Sequence, residues 1–309
     1  MFKNIVFMGT SNFAVSILKS LYQNGYSISS VYTQPAQKSK RGQKFNKSPI
    51  NIFSETLNLE VRTPTNLKNN HEEEDFLKKL KPDLCIVVAY GQIIPINLLE
   101  IPKYGFLNIH ASLLPKLRGA APIQRSIINL DNETGISLMK LNENLDEGPI
   151  CSQYKLKITK KMNSEELSES LANLASQKII DDLDNVYEGN LKFVDQDHSK
   201  ATYANKIEKS EGKINWNESG DKIVGKINGL YPFPGAWFIF KGERYKILKA
   251  ELTRTKGSAG LILNDNFEIG CGENSIKVLE IQREGKKVQK ISEFILGTQI
   301  KKGTKINDE

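Results

Sequence analysis

Cysteine is scarce here: Cys85, Cys151 and Cys271 are all that 309 residues contain. Three scattered thiols build neither a disulfide framework nor a zinc site, and their apolar or turn settings suit buried free thiols for two of them. Long apolar runs are missing too. No segment approaches the ~20 apolar residues of a membrane span. The apolar start is too short for a secretory leader, is interrupted by Asn4, and is followed by no small-residue cleavage site. A cytoplasmic protein with no membrane partner is therefore expected, and nothing in the pattern suggests an obligate oligomer, so a monomer is the expectation. The Gly9-Thr10-Ser11-Asn12 turn lacks the G-x-G-x-x-G spacing that grips a dinucleotide pyrophosphate, which argues against a nicotinamide dehydrogenase. No repeat or low-complexity tract is present, which sets solenoids aside.

What is present is enough apolar material for an ordinary core, 39% of residues, and an excess of positive charge. Lys and Arg number 43 against 36 acids. The surplus gathers late, with 19 basic and 14 acidic residues after residue 200. A basic terminal domain suits a polyanionic partner, because Lys and Arg displace the counterions of phosphates; a solvated lysine-rich surface is the plainer alternative.

The organisation reads as two parts. Residues 4–8 form a short β-rich run, 13–25 have helical spacing ending on Gly25, and 27–33 read as a second strand. This strand, turn, helix, strand order opens a doubly wound α/β domain. Helices follow at 48–59 and 70–80, with a short strand at 60–63. The run 84–89, L-C-I-V-V-A, is uninterrupted and apolar, as a parallel strand covered on both faces should be. Strands are expected at 106–110 and 135–141, and helices at 121–130 and 164–188. From 189 to 207 the chain is polar and aperiodic, as in a linker. A helix at 219–230 precedes short alternating runs at 237–240, 245–252, 260–264, 267–271 and 275–282, then a helix from Ser292. Short strands at that spacing indicate a small barrel. The expected division is 1–188, a linker 189–207, and 208–309.

Only three histidines exist. His71 lies in an acidic helix and His198 in the linker, both in solvated settings. His110 differs, because in G-F-L-N-I-H it stands two residues after Asn108. On a strand the two side chains leave the same face, at the carboxyl end where parallel sheets bind ligands. A lone core histidine bonded to a carbonyl is the ordinary alternative. The next stretch, A-S-L-L-P-K-L-R-G-A-A-P-I-Q (111–124), is a stiff loop of Pro, Gly and Ala leading to a helix start at Pro122. It is more elaborate than a plain crossover needs. Downstream, L-N-E-N-L-D-E-G-P (141–149) places Asp146 after a strand and before a Gly-Pro turn, where local bonding alone can explain an Asp.

The string N-x-H-x-S-L-L-P-x-x-R-G with a later L-D-x-G resembles the folate-dependent formyltransferases. Their catalytic Asn, His and Asp map onto Asn108, His110 and Asp146. The resemblance covers essentially the whole chain. M-G-T-S-N-F-A (8–14) is similar to the family's G-T-P-x-F-A opening, with Ser11 in place of proline. V-V-A-Y-G-Q-I-I-P (87–95) matches its V-V-A-Y-G-x-I-L-P segment. Thr33-Gln34-Pro35, residues 41–44 and Ser48-Pro49 resemble the T-Q-P…G-R-G-K…S-P segment of the branch acting on methionyl-tRNA. T-Y-A-N-K-I (202–207) and Y-P-F-P-G-A-W (231–237) resemble that branch's linker and barrel entry. Glu147 stands where a smaller residue is commoner.

The resemblance implies a Rossmann-like, mostly parallel sheet followed by an OB-like barrel, and transfer of formyl from 10-formyltetrahydrofolate to methionyl initiator tRNA without a metal. It places the folate along Tyr90, Gly91, Gln92, Ile93 and Ile94, along Ser112, Leu113, Leu114 and Pro115, and along Asn142 and Asn144. For the tRNA it points to the acid-free loop 36–50 with Lys38, Lys40, Arg41, Lys44 and Lys47, to Lys206, and to the basic barrel. Arg41 is the position matching the key arginine that enters the acceptor stem. Chemically, Asn108 and His110 can donate to an oxyanion, each donor worth ~3–4 kcal/mol. Asp146 can orient His110 and help remove the proton of the attacking amine. Formyl transfer to a small amine, such as glycinamide ribonucleotide or an amino sugar, and a catalytically silent RNA-binding protein are the alternatives.

Overall fold

The structure, a computed structural model, describes residues 4–39 and 44–306. The chain opens with β1 (Asn4–Gly9), α1 (Asn12–Gln23) and β2 (Ser27–Tyr32). A small antiparallel pair, β3 (Gln37–Ser39) and β4 (Lys44–Asn46), follows, then α2 (Pro49–Thr56), β5 (Val61–Arg62) and α3 (His71–Leu80). Next come β6 (Leu84–Val88), α4 (Ile96–Leu99), β7 (Phe106–His110), α5 (Pro122–Ile128), β8 (Glu133–Lys140), β9 (Ile150–Lys157) and the long α6 (Ser164–Glu188). The later elements are α7 (Gly220–Gly229), β10 (Ala236–Phe240), β11 (Glu243–Thr253), β12 (Glu268–Gly270), β13 (Ser275–Arg283), β14 (Gln289–Lys290) and α8 (Ile291–Gly297).

Two compact units result, and they interleave in sequence. The first runs up to Gly119 and adds Thr134–Leu156 and Ser168–Tyr203. The second takes Ala120–Glu133, Lys157–Leu167 and everything from Ala204 on. Residues up to Tyr203, read from the sequence as linker, thus pack with the first unit.

Seven strands make the first sheet, ordered β5-β2-β1-β6-β7-β8-β9. The pairs from β5 to β7 are parallel and β7 meets β8 antiparallel, giving the mostly parallel, Rossmann-like sheet expected. All five residues of β6 are buried, which only an apolar run can satisfy when both faces are covered. Helix ends are written locally. Asn70 caps α3 by accepting the Glu73 N–H. Three glutamates fill the first turn of that helix and two lysines its last, matching the helix dipole. Ser48 caps α2 by accepting the Asn51 N–H, with Pro49 in the first turn.

The second unit holds an antiparallel sheet, β10-β11-β13-β12, with β14 also on β13. Register shifts in β11 around Lys249 bend it, and the sheet curls into an OB-like half-barrel. Trp216, Phe238, Tyr245, Phe267 and Phe294 fill its interior, with Phe238 stacked on Tyr245 at 5.4 Å. Helix α7 approaches α5 so closely that a Cβ on Gly229 would lie 2.9 Å from the Gln124 carbonyl.

One expectation needs correction, and one strand is additional. Residues 260–264 form only isolated bridges, Leu261 to Lys305 and Ile262 to Ile269, because Gly260 turns at φ +73 and Asn264 caps a turn. Strand β9 was not anticipated. It lies at the sheet edge and is only half covered, so lysines alternate along it. Among the described residues no helix is long and apolar enough to cross a membrane.

Candidate active site

Strand β7 sets out the first two groups. Asn108 pairs with Val87 of β6 and Met139 of β8, and His110 with Ser137 of β8. Both side chains are buried, at 8% and 6% exposure. Asp146 comes from the loop after β8, at the left-handed φ of +52 that Asp tolerates better than most residues.

The Asp146 carboxylate is the hub. Its Oδ2 accepts the Gly119 N–H at 2.8 Å and lies 3.5 Å from His110 Nδ1. Its Oδ1 faces the Asn108 amide at 3.5 Å. The other imidazole nitrogen, Nε2, meets the Leu117 carbonyl at 2.9 Å. Both ring nitrogens therefore face acceptors, and the ring plane is fixed from two sides. The three residues inferred from sequence spacing do converge, although neither nitrogen of His110 stands free to meet an oxyanion in this arrangement.

The loop after β7 is held by its own polar groups. Ser112 Oγ donates to the Lys116 carbonyl at 2.6 Å, and Ser137 Oγ to the Ser112 carbonyl at 2.7 Å. Gln153 donates to the Leu114 carbonyl at 2.8 Å. Ser112 and Leu114 are buried, whereas Leu113 and Pro115 are half-buried. In the loop after β6, Tyr90 and Ile94 enter the core with Val87 and Phe106, and burial pushes the Tyr90 phenol up. Gly91 is exposed, Gln92 half-buried with its amide on the Pro64 carbonyl, and Ile93 stands 84% exposed. Asn142 and Asn144 are exposed and joined by an Asx turn, 3.1 Å from Asn142 Oδ1 to the Asn144 N–H. Leu145 beside them is 61% exposed.

The expected nucleic-acid contacts are less completely placed. Lys38 and Lys44 lie on β3 and β4, while Lys40 and Arg41 lie outside the described residues. Lys47 is exposed and ion-paired with Glu55. Lys206 is exposed, and its carbonyl accepts from Arg125.

Two residues around the hub escaped the sequence reading. Arg118 is 1% exposed, and Gln196, from the stretch taken as linker, is 6% exposed. Arg118 pairs with Glu147 at 2.9 Å, so Glu147, unusual in the motif, has a defined partner. The only signal for Arg118 was its place in the R-G of the loop. For Gln196 there was none, since a partner 78 residues distant leaves no local pattern.

Comparison with known proteins agrees with this geometry. Residues 3–183 match the formyl transferase family and residues 206–299 the formyl transferase C-terminal domain. A methionyl-tRNA formyltransferase of Pelagibacter ubique is 60% identical over the full length of both chains. The chain belongs to the methionyl-tRNA formyltransferase family. A second such formyltransferase, from Caldanaerobacter subterraneus, is 40% identical over 97% of this chain and 98% of its own. Among solved structures, HypX from Aquifex aeolicus in complex with tetrahydrofolic acid superposes at TM-score 0.68 and 16% identity. That match covers 98% of this chain and 49% of HypX. WlaRD, a sugar 3N-formyl transferase crystallised with dTDP and 5-N-formyl-THF, gives 0.67 and 20% over 93% and 100%. These two establish the fold.

Two loops of this methionyl-tRNA formyltransferase family member carry surface of the kind a folate requires. Ile93 and Leu145 expose apolar surface on the loops at 90–94 and 142–146, which also carry turn backbone groups, a combination suited to a flat heteroaromatic ring. Among the described residues no group of three His, Cys, Asp or Glu side chains could hold a metal.

Proposed function

We propose that this protein transfers the formyl group of 10-formyltetrahydrofolate to the α-amino group of methionyl initiator tRNA, giving N-formylmethionyl-tRNA for translation initiation. The convergence of Asn108 and His110 on Asp146, in a chain 60% identical to a methionyl-tRNA formyltransferase, carries this reading.

The residues divide the work by position. The folate supplies an N-formyl carbonyl open to attack by an amine. Asn108, Asn142, Asn144 and the backbone of 90–94 and 112–115 hold it, with Ile93, Leu113, Pro115 and Leu145 covering its apolar faces. The Asn108 amide then donates toward the oxygen on which charge develops, a preorganised donor being worth ~3–4 kcal/mol. His110 presents its ring in one orientation, fixed by the Leu117 carbonyl at Nε2. The proton lost by the attacking amine is held at Nδ1 against Asp146 Oδ2, and it passes to the departing folate nitrogen as the bond from the formyl carbon to that nitrogen breaks and tetrahydrofolate leaves.

The tRNA reading rests on charge. Lys38, Lys40, Arg41, Lys44 and Lys47 belong to the acid-free stretch 36–50 that would enter the acceptor stem, and Lys206 with the basic 208–309 segment would follow its phosphates. Functionally the division is 1–188 for catalysis, 189–207 as connection and 208–309 for tRNA, in a cytoplasmic monomer with no membrane partner. The matches at 3–183 and 206–299 support that division.

The test is formylation with 10-formyltetrahydrofolate and three acceptors: methionylated initiator tRNA, methionylated elongator tRNA and glycinamide ribonucleotide. Formyl-methionine on the initiator alone is expected. Activity on the small amine alone would discard the tRNA reading, and no transfer to any of the three would discard the catalytic one.

A further inference from the structure

We propose that Gln196 is a positioning residue for formyl transfer, holding the Asp146 loop in its reactive place through two main-chain hydrogen bonds while Arg118 holds Gln196. This rests on the catalytic reading of Asp146 above.

Every polar atom of the Gln196 side chain is used. Its Nε2 donates to the Asp146 carbonyl and to the Gly148 carbonyl, each at 2.8 Å. Its Oε1 accepts twice from Arg118, from Nε at 3.1 Å and from Nη2 at 2.8 Å. The amide orientation is forced. A flipped amide would set NH2 against a guanidinium that only donates, and oxygen against two carbonyls that only accept. Arg118 is itself tied down, with Nη1 on Glu147 at 2.9 Å and Nη2 3.3 Å from His198 Nδ1. A buried guanidinium without such partners would be costly.

The loop needs this clamp. Asp146 sits at φ +52, and residues 141–149 contain neither helix nor strand, so no ladder fixes its backbone. The Gly119 N–H secures the carboxylate end of Asp146 and Gln196 secures its carbonyl end. With both in place, the carboxylate stays 3.5 Å from His110 Nδ1 and from the Asn108 amide.

A network serving stability alone makes a different prediction, and Gln196→Glu separates the two. The carboxylate keeps both acceptor bonds to Arg118 and strengthens them by charge. It loses both donors and places oxygen against the Asp146 and Gly148 carbonyls. A stability role predicts a folded enzyme with near-normal turnover. A positioning role predicts a folded enzyme with kcat down about 10- to 100-fold, the cost typical of removing a group that orients a functional residue. KM for the folate and for the tRNA should stay within about threefold, because Gln196 touches neither. Gln196→Leu, which loses both sides, should be slower still and less stable.

Hydrogen exchange at the Gly119 amide, read in a peptide covering 116–121, reports the clamp without turnover and should quicken about tenfold in Gln196→Glu. A Gln196→Glu enzyme with kcat within twofold of wild type, or with unchanged Gly119 exchange, overturns the inference. A wild-type protein that formylates nothing would instead sink the functional reading, leaving Gly119 exchange as the measure of the clamp.

Discussion

Replacing Gly148 with alanine puts a single methyl where the structure has no room, and its effect can be worked from distances. A Cβ at that position would lie 1.8 Å from the Lys140 carbonyl oxygen of β8. The obstacle is main chain, so no rotamer relieves it. Even a tight approach of 3.0 Å requires the 146–149 loop to retreat by about 1.2 Å. Two residues earlier, Asp146 would carry that displacement into its 2.8 Å bond with the Gly119 N–H, taking it to about 4 Å, beyond hydrogen-bond range. The already long 3.5 Å approaches to His110 and Asn108 would open as well. A misplacement near 1 Å costs roughly 100-fold in rate, which is about 2.7 kcal/mol of barrier at ~1.36 kcal/mol per decade. Single-turnover formylation with saturating folate and tRNA reads this step directly. The control is Gly189→Ala, at φ +74 with nothing within 4 Å of the new Cβ. It should lose about 1 kcal/mol of stability from the left-handed backbone and keep its rate. A Gly148→Ala enzyme within threefold of wild type would refute the link between loop position and turnover, as would a Gly189→Ala enzyme slowed as much.

Other perturbations follow from the same geometry. Asn108→Ala removes one donor and should lower kcat by about 10²–10³-fold with little change in Tm; steady-state formylation beside a thermal melt checks both. Asp146→Asn keeps a side chain tolerant of φ +52 while removing the charge, and kcat should fall about 10²–10⁴-fold; a drop under tenfold would remove Asp146 from proton handling. Asp182, which accepts from Ser152 and Tyr154 at 2.7 Å, has its carboxyl raised above the usual 3.8, chiefly by burial. A raised carboxyl favours folding while protonated, so its contribution is full below pH 3.8 and is lost as pH rises through the folded value. Wild type should therefore lose stability relative to Asp182→Asn as the pH rises above 3.8, and denaturant melts showing a constant gap would contradict this. Replacing Lys38, Lys40, Arg41, Lys44 and Lys47 together should flatten the log–log salt dependence of tRNA binding by about one unit for each phosphate these side chains neutralise. An unchanged slope would place the phosphate-binding surface elsewhere.

Much of this architecture is legible in the sequence because short-range physics writes it there. The unbroken L-C-I-V-V run declares a strand covered on both faces, and the Asn70 cap with its following glutamates marks the start of α3. The two-residue spacing of Asn108 and His110 places them on one face of β7 before any tertiary neighbour is known. The reversal of β8 against β7 is not legible, since period and propensity are the same in either direction. Strand β9 hides because its exposed edge admits lysines at alternate positions. The partition is also concealed. Residues 190–203 look like a linker by composition, yet Val194 exchanges main-chain bonds with Ile150, and Thr202 accepts from the Arg118 and Leu117 N–H groups.

The hold of Thr202 on that loop explains why the site has its form. The loops that meet at Asp146 contain backbone outside any strand ladder: Leu117 at φ +57, Gly119 at +112 and Asp146 at +52. Left-handed residues of this kind persist only where their surroundings over-determine them. Here the surroundings are polar and distant in sequence. Thr202 holds Leu117 and Arg118, Gln196 holds Asp146 and Gly148, and Gly119 closes the circuit on the Asp146 carboxylate. Hydrogen bonds suit the task better than apolar packing because they fix direction as well as distance, and an amine attacking a carbonyl demands both. A segment that composition marks as a tether thus connects the chain and at the same time hydrogen-bonds the backbone on both sides of Asp146. Trimming residues 194–202 as dispensable linker would remove the clamp along with the chain.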